Sequence, residues 1–291
     1  MLVILLGLGT ALAYGFADFF AALAGRRVRI ILVTWFAAIS GLALLLLLAI
    51  PLGASFSSEA ISVGIAGGFF SIIALTALYA SLALGPISVI SPLGALVSAI
   101  VPTFLGVLWL GETFAELGWL AIALALVAVV LVAMVPGEKV IRPSLRAILL
   151  AVVAGVGIGL AVTAIDRAPI DSGLATVIVL RATAALGLGL LATITLLRKQ
   201  TPGKNQEGWR IGGNTWRLIV VTGLLDASAN VLFLLASREG GLAVVGVLTA
   251  LYPLGTILLA RVFLKEKLAL VQKLGVGLAL TASALLAISA N

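Results

Sequence analysis

Apolar stretches of about 20 residues recur along this chain of 291 residues, and they constrain its fold more than any other feature. A helix of about that length is what crosses the hydrocarbon core of a bilayer. Such stretches lie at about 2–24, 30–50, 60–83, 86–110, 117–135, 147–165, 172–197, 218–237, 241–262 and 268–289. The connections between them are short, so we predict an all-α integral membrane protein of ten transmembrane helices with no separate soluble domain.

The composition agrees with lipid rather than water around the chain. Apolar residues make up 63% of the sequence and charged residues 10%, whereas charged residues are roughly a quarter of a soluble domain. The sequence has no Cys and no His, which excludes disulfides, thiol or imidazole nucleophiles and zinc sites built on these residues. It also lacks a paired-aspartate metal motif and a phosphate-binding GxxxxGK[ST] loop. We therefore expect no metal, no cofactor, no enzyme activity and no ATP-driven pumping.

The basic residues predict the orientation of the chain in the membrane, because Lys and Arg are retained in cytoplasmic loops. Fifteen of the 18 fall in the odd-numbered connections: Arg26, Arg27, Arg29, Lys139, Arg142, Arg146, Arg198, Lys199, Lys204, Arg210, Arg217, Arg261, Lys265, Lys267 and Lys273. The even-numbered connections hold only Arg167 and Arg238. Both termini are thus expected outside the cytoplasm of an inner-membrane protein. Anionic lipid accounts for the net charge of +7 without nucleic acid.

The chain also carries a duplication. Glu112 and Glu266 each end an apolar span and stand 154 residues apart, but only Glu266 has basic neighbours. The same acidic motif thus occurs once without basic neighbours and once with them. This difference is expected if the two copies face opposite sides of a membrane. An odd number of spans in each half forces this inversion. We predict two inverted five-helix repeats, 1–140 and 141–291, around a central cavity.

The duplicated ten-span plan, the opening run from Tyr14 to Phe19 (YGFADF) and the span ends Gly111-Glu112 and Lys265-Glu266 resemble the drug/metabolite transporter superfamily, in its EamA-like branch. Within the branch, the resemblance points to amino-acid exporters of the YddG type. It implies a basket-like bundle whose cavity is lined mainly by spans 1, 3, 4, 6, 8 and 9, with rocking of the two halves. The related small multidrug pumps carry a Glu in their first helix, and this first span contains only Asp18.

Polar and small residues at spacings of three and four indicate which helix faces line the cavity. Glycines at this spacing, such as the GxxxG pairs Gly64–Gly68 and Gly155–Gly159, are more typical of helix packing. Tyrosines within a membrane require a partner or a wet cavity. The candidate substrate-binding residues are Tyr14, Tyr79, Ser91, Ser98, Thr163, Arg181, Asp226, Asn230 and Tyr252.

Prolines within the apolar spans are candidate hinges. Pro92 and Pro102 are expected to interrupt the fourth span and Pro253 the ninth, because each proline removes a backbone hydrogen bond. Breaks in corresponding members of two halves point to a transport site, although proline kinks are also ordinary in membrane helices.

Arg181 and Asp226 both fall about halfway through their spans, where an unpaired charge would cost at least ~3 kcal/mol. Antiparallel neighbouring helices could join them in an ion pair. Two interpretations stay open: a fixed structural pair, or a site at which Arg181 meets a substrate carboxylate or Asp226 a substrate ammonium or proton.

These observations predict a secondary transporter that exports small metabolites, amino acids with aromatic or other apolar side chains above all, by alternating access. An exchanger of phosphorylated metabolites or nucleotide sugars, a drug efflux protein of the same superfamily and a simple channel are the alternatives. A phosphate site would require several converging cations, and the spans offer only Arg181. A membrane-embedded enzyme is less favoured. The oligomeric state is left open, with a monomer as one option.

Overall fold

A computed structural model describes residues 1–84, 87–133, 144–197, 211–252, 255, 258–259, 262 and 269–289. Its regular structure is helical, as predicted, with one isolated β-bridge. The α-helices in the described part of the chain are α1 Leu2–Gly25, α2 Ile30–Leu52, α3 Ser58–Leu84, α4 Ile87–Leu108, α5 Glu116–Ala133, α6 Leu145–Asp166, α7 Ala175–Leu197, α8 Gly213–Glu239, α9 Leu242–Thr249 and α10 Leu270–Ser289. A short 3₁₀-helix, Ile170–Ser172, precedes α7.

Six helices in the described residues are long and apolar enough to cross a membrane, namely α1, α2, α3, α6, α7 and α8. The apolar parts described in α4, α5 and α10 are shorter. The expectation of ten spans is therefore confirmed in part.

Local sequence signals set several helix ends. The Ser57 hydroxyl accepts a hydrogen bond from the Ala60 amide at 3.1 Å, and Ser144 accepts one from Ala147 at 3.2 Å, so each serine caps the first turn of a helix. Gly53 ends α2 with a φ of 76°, a left-handed conformation that favours glycine. These ends leave only short connections at 53–57 and 167–174.

The ninth span is not a continuous helix. The helix α9 stops at Thr249, and the next amides bond three residues back: Leu251 N to Leu248 O at 3.2 Å and Tyr252 N to Thr249 O at 3.0 Å. A proline at 253 can neither donate a hydrogen bond nor tolerate a helical carbonyl four residues before it, at Thr249. The interruption expected in the ninth span is thus found one turn before the proline. Pro253 itself lies outside the described residues.

The fourth span behaves differently from expectation. The helix α4 runs from Ile87 to Leu108 and stays helical at Pro92 and Pro102. Neighbouring helices can compensate for the carbonyls that a proline frees in a membrane helix. Pro102 is buried, and a Cβ added to Gly246 of α9 would lie 2.5 Å from its Cγ. Pro102 therefore packs against α9 without breaking its own helix.

The helices of one half pack mainly against helices of the other half. The principal pairs are α3 with α6, α1 with α8, α4 with α6, α1 with α9, α3 with α7, α2 with α8, α2 with α7, α4 with α9 and α5 with α10. Exchanging α1–α5 with α6–α10 converts this set of pairs into itself. Such a pattern is what a duplicated bundle would produce.

Small residues permit this close packing, as expected for the GxxxG pairs. A Cβ added to Gly64 of α3 would lie 2.7 Å from the Thr176 carbonyl oxygen of α7. A Cβ added to Gly155 of α6 would lie 2.7 Å from the Gly94 carbonyl oxygen of α4. Real Cβ atoms do not approach oxygen so closely, so both glycines are packing residues rather than cavity-lining ones.

The outer surface of the bundle is apolar. Large apolar side chains stand exposed along the helices, among them Ile50 at 82%, Leu186 at 76% and Leu190 at 64%. Aromatic contacts lie near both ends: Phe36 with Trp216, and Phe114 with Trp119. An apolar surface flanked by aromatic residues suits a bilayer and its two interfaces. The protein is therefore a membrane protein.

Candidate functional site

An ion pair joins α7 to α8 within the bundle. The Arg181 guanidinium donates a hydrogen bond through Nη2 to Oδ2 of Asp226. The Arg181 side chain is only 11% exposed and that of Asp226 is 30% exposed. Pairing offsets the cost of holding either charge inside the membrane. The structure thus brings together the two charges that the sequence placed at similar depth.

The ion pair continues into a hydrogen-bond chain that reaches α1. The Tyr14 hydroxyl donates to Oδ1 of Asn230 at 2.8 Å. The Asn230 amide nitrogen in turn donates to the backbone carbonyl of Asp226, also at 2.8 Å. Tyr14 therefore has the polar partner that a tyrosine in a membrane requires. These hydrogen bonds connect the two halves of the molecule, and the three residues that form them are all candidate binding residues.

These groups face a cavity of about 200 Å³ in the middle of the bundle. Residues of α1–α4, of α6–α9 and of the turn after α9 line it. The resemblance to the superfamily omits α2 and α7 from the lining, but both contribute, α2 through Thr34 and α7 through Arg181. The helices α2 and α7 pack against each other, α2 also against α8 and α7 also against α3, and one face of each reaches the cavity.

Six of the predicted binding residues line this cavity: Tyr14, Ser98, Arg181, Asp226, Asn230 and Tyr252. Thr163 is not among the lining residues. Its hydroxyl donates to the Gly159 carbonyl at 2.8 Å. The cavity-facing positions of α6 are 158, 161, 162 and 165, so residue 163 points to a different side of the helix. Thr163 therefore lies on a face of α6 that does not border the cavity.

For the remaining predicted residues, the structure does not describe the side chains. The side chains of Tyr79, Ser91 and Pro92 are among those not described, although their backbones belong to α3 and α4. Pro253 lies outside the described residues altogether. Their roles as ligands or hinges stay predictions.

Four hydroxyls around the cavity donate to their own helices. Thr34 donates to the Ile30 carbonyl at 2.6 Å, Ser98 to Ala95 at 2.9 Å and Thr222 to Leu218 at 2.9 Å. Ser71 does the same, to Gly67 at 3.0 Å. A hydroxyl whose proton is used in this way still offers lone pairs. These four hydroxyls therefore present acceptors rather than donors to the cavity.

Asp18 is a lining residue that the list of candidate ligands missed. It lies one helical turn after Tyr14 on α1, lines the same cavity and is exposed. Spacing gave the signal, because Tyr14 and Asp18 share a helix face at four residues apart. Asp18 is also the acidic residue of the first span, the helix in which the small multidrug pumps carry a Glu.

The cavity reaches toward the end of the bundle that carries Arg26, Arg27 and Arg29, named here the basic end. Its lining includes Ala21 near the last turn of α1 and Val33 near the first turn of α2. The opposite end, which carries Met1, is named the terminal end. A buried apolar cluster occupies it, with members such as Val3, Leu45, Leu174, Phe233 and Leu242.

Polar contacts between the halves also fasten the terminal end. Ala54 and Gly173 form an antiparallel β-bridge, with Leu174 N bonded to Gly53 O and Ser55 N to Ser172 O, both at 3.0 Å. Arg238 donates to the Gly173 carbonyl at 3.3 Å. Connections from both halves are therefore joined outside the apolar cluster.

Glu112 forms a third contact at the terminal end. Its two carboxylate oxygens accept hydrogen bonds from the first amides of α9, Leu242 N at 2.6 Å and Ala243 N at 3.1 Å. A carboxylate at this position satisfies free amides and complements the helix dipole. The acidic end of one half thus caps a broken helix of the other, a role that the duplication alone did not predict.

Comparison with known proteins agrees with this architecture. Residues 145–288 match the model of the EamA-like transporter family. The second half of the chain is therefore similar to the EamA-like transporter family. A solved crystal structure matches with a TM-score of 0.78 and 17% identity, over 98% of this chain and 96% of that one. At this identity the match shows the fold alone. No curated protein matches the sequence significantly.

Proposed function

We propose that the chain is a secondary transporter that exports small metabolites, above all amino acids with aromatic or other apolar side chains, as its resemblance to exporters of the YddG type implies. The observation that carries the proposal is a cavity lined by both halves of the bundle, closed at the terminal end and extending toward the basic end. A site of this kind, near the middle of a membrane protein and between two related halves, is where transporters bind their substrates.

The size and polarity of the cavity support a small amphiphilic substrate. Its volume of about 200 Å³ is below the ~300–1,000 Å³ typical of sites for drug-sized ligands. Most of its lining is apolar, with a few hydroxyls, two tyrosines and one ion pair. A phosphorylated substrate is less well matched, since Arg181 is the one basic residue among the described lining residues and it already pairs with Asp226.

Arg181 is the proposed ligand of the substrate carboxylate, with Asp226 as its counter-ion. Arg181 Nε is buried and has no hydrogen-bond partner among the described residues. A buried donor without a partner is costly, so a carboxylate that accepts from it would be favoured. Tyr14, Ser98, Asn230 and Tyr252 complete the proposed site, to which the sequence adds Tyr79 and Ser91.

Transport would proceed by alternating access of two inverted repeats, residues 1–140 and 141–291. The helix pairs that interchange between the halves support this mechanism, because two related halves can pack in two related ways. Pro92, Pro102 and Pro253 are the proposed hinges. The break after α9 supports the last of these, since it lies immediately before residue 253.

We further propose that the basic end faces the cytoplasm of an inner membrane, with both termini on the other side. The distribution of Lys and Arg among the connections supports this orientation. The cavity in the described structure would then extend toward the cytoplasm, the side from which an exporter takes its substrate.

Reconstitution tests the function directly. Purified protein in liposomes is expected to show saturable counterflow of labelled phenylalanine or leucine, and liposomes without protein should show none. Competition by unlabelled amino acids would rank the preference of the protein for different amino-acid side chains. Absence of counterflow across a broad amino-acid panel would overturn the proposed substrate class, and repeating the assay across a pH gradient would show whether protons are coupled.

A further inference from the structure

The charges around the cavity do not balance. The described lining residues include two carboxylates, Asp18 and Asp226, and one cation, Arg181. Arg181 and Asp226 neutralise each other in their ion pair. In the part of the chain that the structure describes, no hydrogen bond or ion pair reaches the Asp18 carboxylate. Among the described lining residues, one carboxylate, that of Asp18, is therefore without a positive partner.

The carboxylate of Asp18 lies near other polar groups of the cavity. Asp18 is close enough to Asp226 and to Tyr252 to interact with both electrostatically. A carboxylate in a low-dielectric cavity attracts a cation more strongly than one in water does. The aromatic rings of Tyr14 and Tyr252 line the same cavity and could contact the organic part of a bound cation.

A second observation also points to a missing ligand. Thr249 lines the cavity and is only 7% exposed, yet its hydroxyl has no hydrogen-bond partner among the described residues. Buried hydroxyls are nearly always paired. The other lining hydroxyls of Thr34, Ser71 and Ser98 already donate to their own helices. The unpaired Thr249 hydroxyl can accept a hydrogen bond from a donor on a ligand in the cavity.

From these contacts we propose that Asp18 binds the protonated amine of the transported molecule, so that primary amines without a carboxylate also occupy the site. An ammonium group brings one positive charge and three donors, which matches an unpaired carboxylate beside hydroxyls that present acceptors. A multivalent metal ion is a poorer match, because the described residues contain no group of three or more His, Cys, Asp or Glu that could hold one. This inference rests on the proposed function, since it assigns the second polar group of an amino-acid substrate.

The test uses three probes of the same shape: phenylalanine, phenethylamine, which lacks the carboxylate, and 3-phenylpropanoate, which lacks the amine. Binding to the purified full chain in detergent is measured by calorimetry for wild type, Asp18→Asn and Asp18→Glu. Asp171→Asn makes the same chemical change at an exposed connection and serves as the matched control. Thermal unfolding of each variant checks that it is folded.

Asp18→Asn should weaken the binding of phenylalanine and of phenethylamine by about tenfold or more, which is the effect of losing one charge-assisted hydrogen bond. The affinity for 3-phenylpropanoate should stay the same or increase. Asp18→Glu should retain part of the amine affinity, and Asp171→Asn all of it. Equal weakening of all three probes in a folded variant, or unchanged amine binding in Asp18→Asn, would contradict the assignment. So would a wild type that binds neither phenethylamine nor n-butylamine.

Counterflow separates this inference from the proposed function. If amines bind through Asp18 but labelled amino acids show no counterflow, the transport proposal fails and the amine site stands. If counterflow occurs and Asp18→Asn transports phenylalanine with unchanged affinity, the amine site fails and the transporter stands.

Discussion

The two ends of the bundle are built from different interactions. At the terminal end, buried apolar side chains such as Leu45, Phe233 and Leu248 fill the space between the halves. Toward the basic end, the same halves surround a cavity that holds an ion pair, hydroxyls and the carboxylate of Asp18, beside a smaller buried cluster of Ala24, Val33, Ala37 and Ile219. The closed end depends on packing, and the cavity depends on polar pairing.

The difference indicates how such a protein can change state. Apolar packing can separate and re-form without leaving a charge unpaired, whereas the ion pair has to persist or find a substrate in its place. The polar contacts at the terminal end, the Ala54–Gly173 bridge and the Glu112 cap, involve backbone groups that water can satisfy when the end opens. We infer that the terminal end is the part that opens, while the ion pair stays within the site.

The largest expected effect comes from breaking the ion pair on one side only. Arg181→Met would leave Asp226 unpaired inside the membrane and should destabilise the protein by about 3–5 kcal/mol. Unfolding in detergent, followed by circular dichroism, measures the change.

The double variant Arg181→Met with Asp226→Leu is the control for that experiment. It removes both charges and should recover most of the lost stability, because no uncompensated charge remains. Counterflow by the double variant then separates the two roles of the pair. We expect it to be lost for amino acids, and full activity would assign the pair a structural role alone.

A smaller effect is expected from a void at the terminal end. Leu248 is fully buried, and a Cβ added to Gly7 would lie 2.9 Å from its Cδ1. Leu248→Ala should therefore cost about 2–3 kcal/mol of unfolding free energy through lost packing. Leu186→Ala, on a side chain that is 76% exposed, should cost much less. Equal losses in the two variants would contradict the packed closure.

A still smaller effect should follow from removing the helix cap. Glu112→Ala deprives the Leu242 and Ala243 amides of their acceptor and should cost about 0.5–2 kcal/mol. Because the chain contains no Cys, a single Val245→Cys probe, placed where the side chain is fully buried, can report opening of the terminal end. Loss of the cap should increase its labelling by a maleimide.

The matched control for the cap is Glu116→Ala. Glu116 is exposed in the first turn of α5, so its removal should not change labelling at position 245. Thr34→Cys, on the cavity wall, provides the opposite reference, since it should react without any cap mutation. Protection of Thr34→Cys in the wild-type background would contradict the description of the basic end as the side toward which the cavity reaches.

The sequence predicted the membrane helices and the ion pair because both follow from the cost of polar groups in lipid. Span length, the depth of Arg181 and Asp226 and the glycine spacing are all visible along one chain. Contacts between distant segments are not. The Glu112 cap on α9 depends on a pairing of residues 130 apart, and the cavity face of α6 depends on which helices surround it. Thr163 was chosen for its hydroxyl, whereas the rotation of α6 decides what it faces.

The smallest effect distinguishes two hydroxyls with the same local bond. Ser98 and Thr163 each donate to a carbonyl of their own helix, at 2.9 and 2.8 Å, but only Ser98 lines the cavity. Ser98→Ala and Thr163→Val should therefore change stability to a similar small extent, within about 1 kcal/mol. Ser98→Ala should also weaken phenylalanine binding by about threefold, the loss of one neutral acceptor, while Thr163→Val should leave it unchanged. Calorimetric titration of both variants measures this. The reverse ranking would mean that Thr163 reaches the substrate in another conformational state, so the helical face seen here would not be the one that selects it.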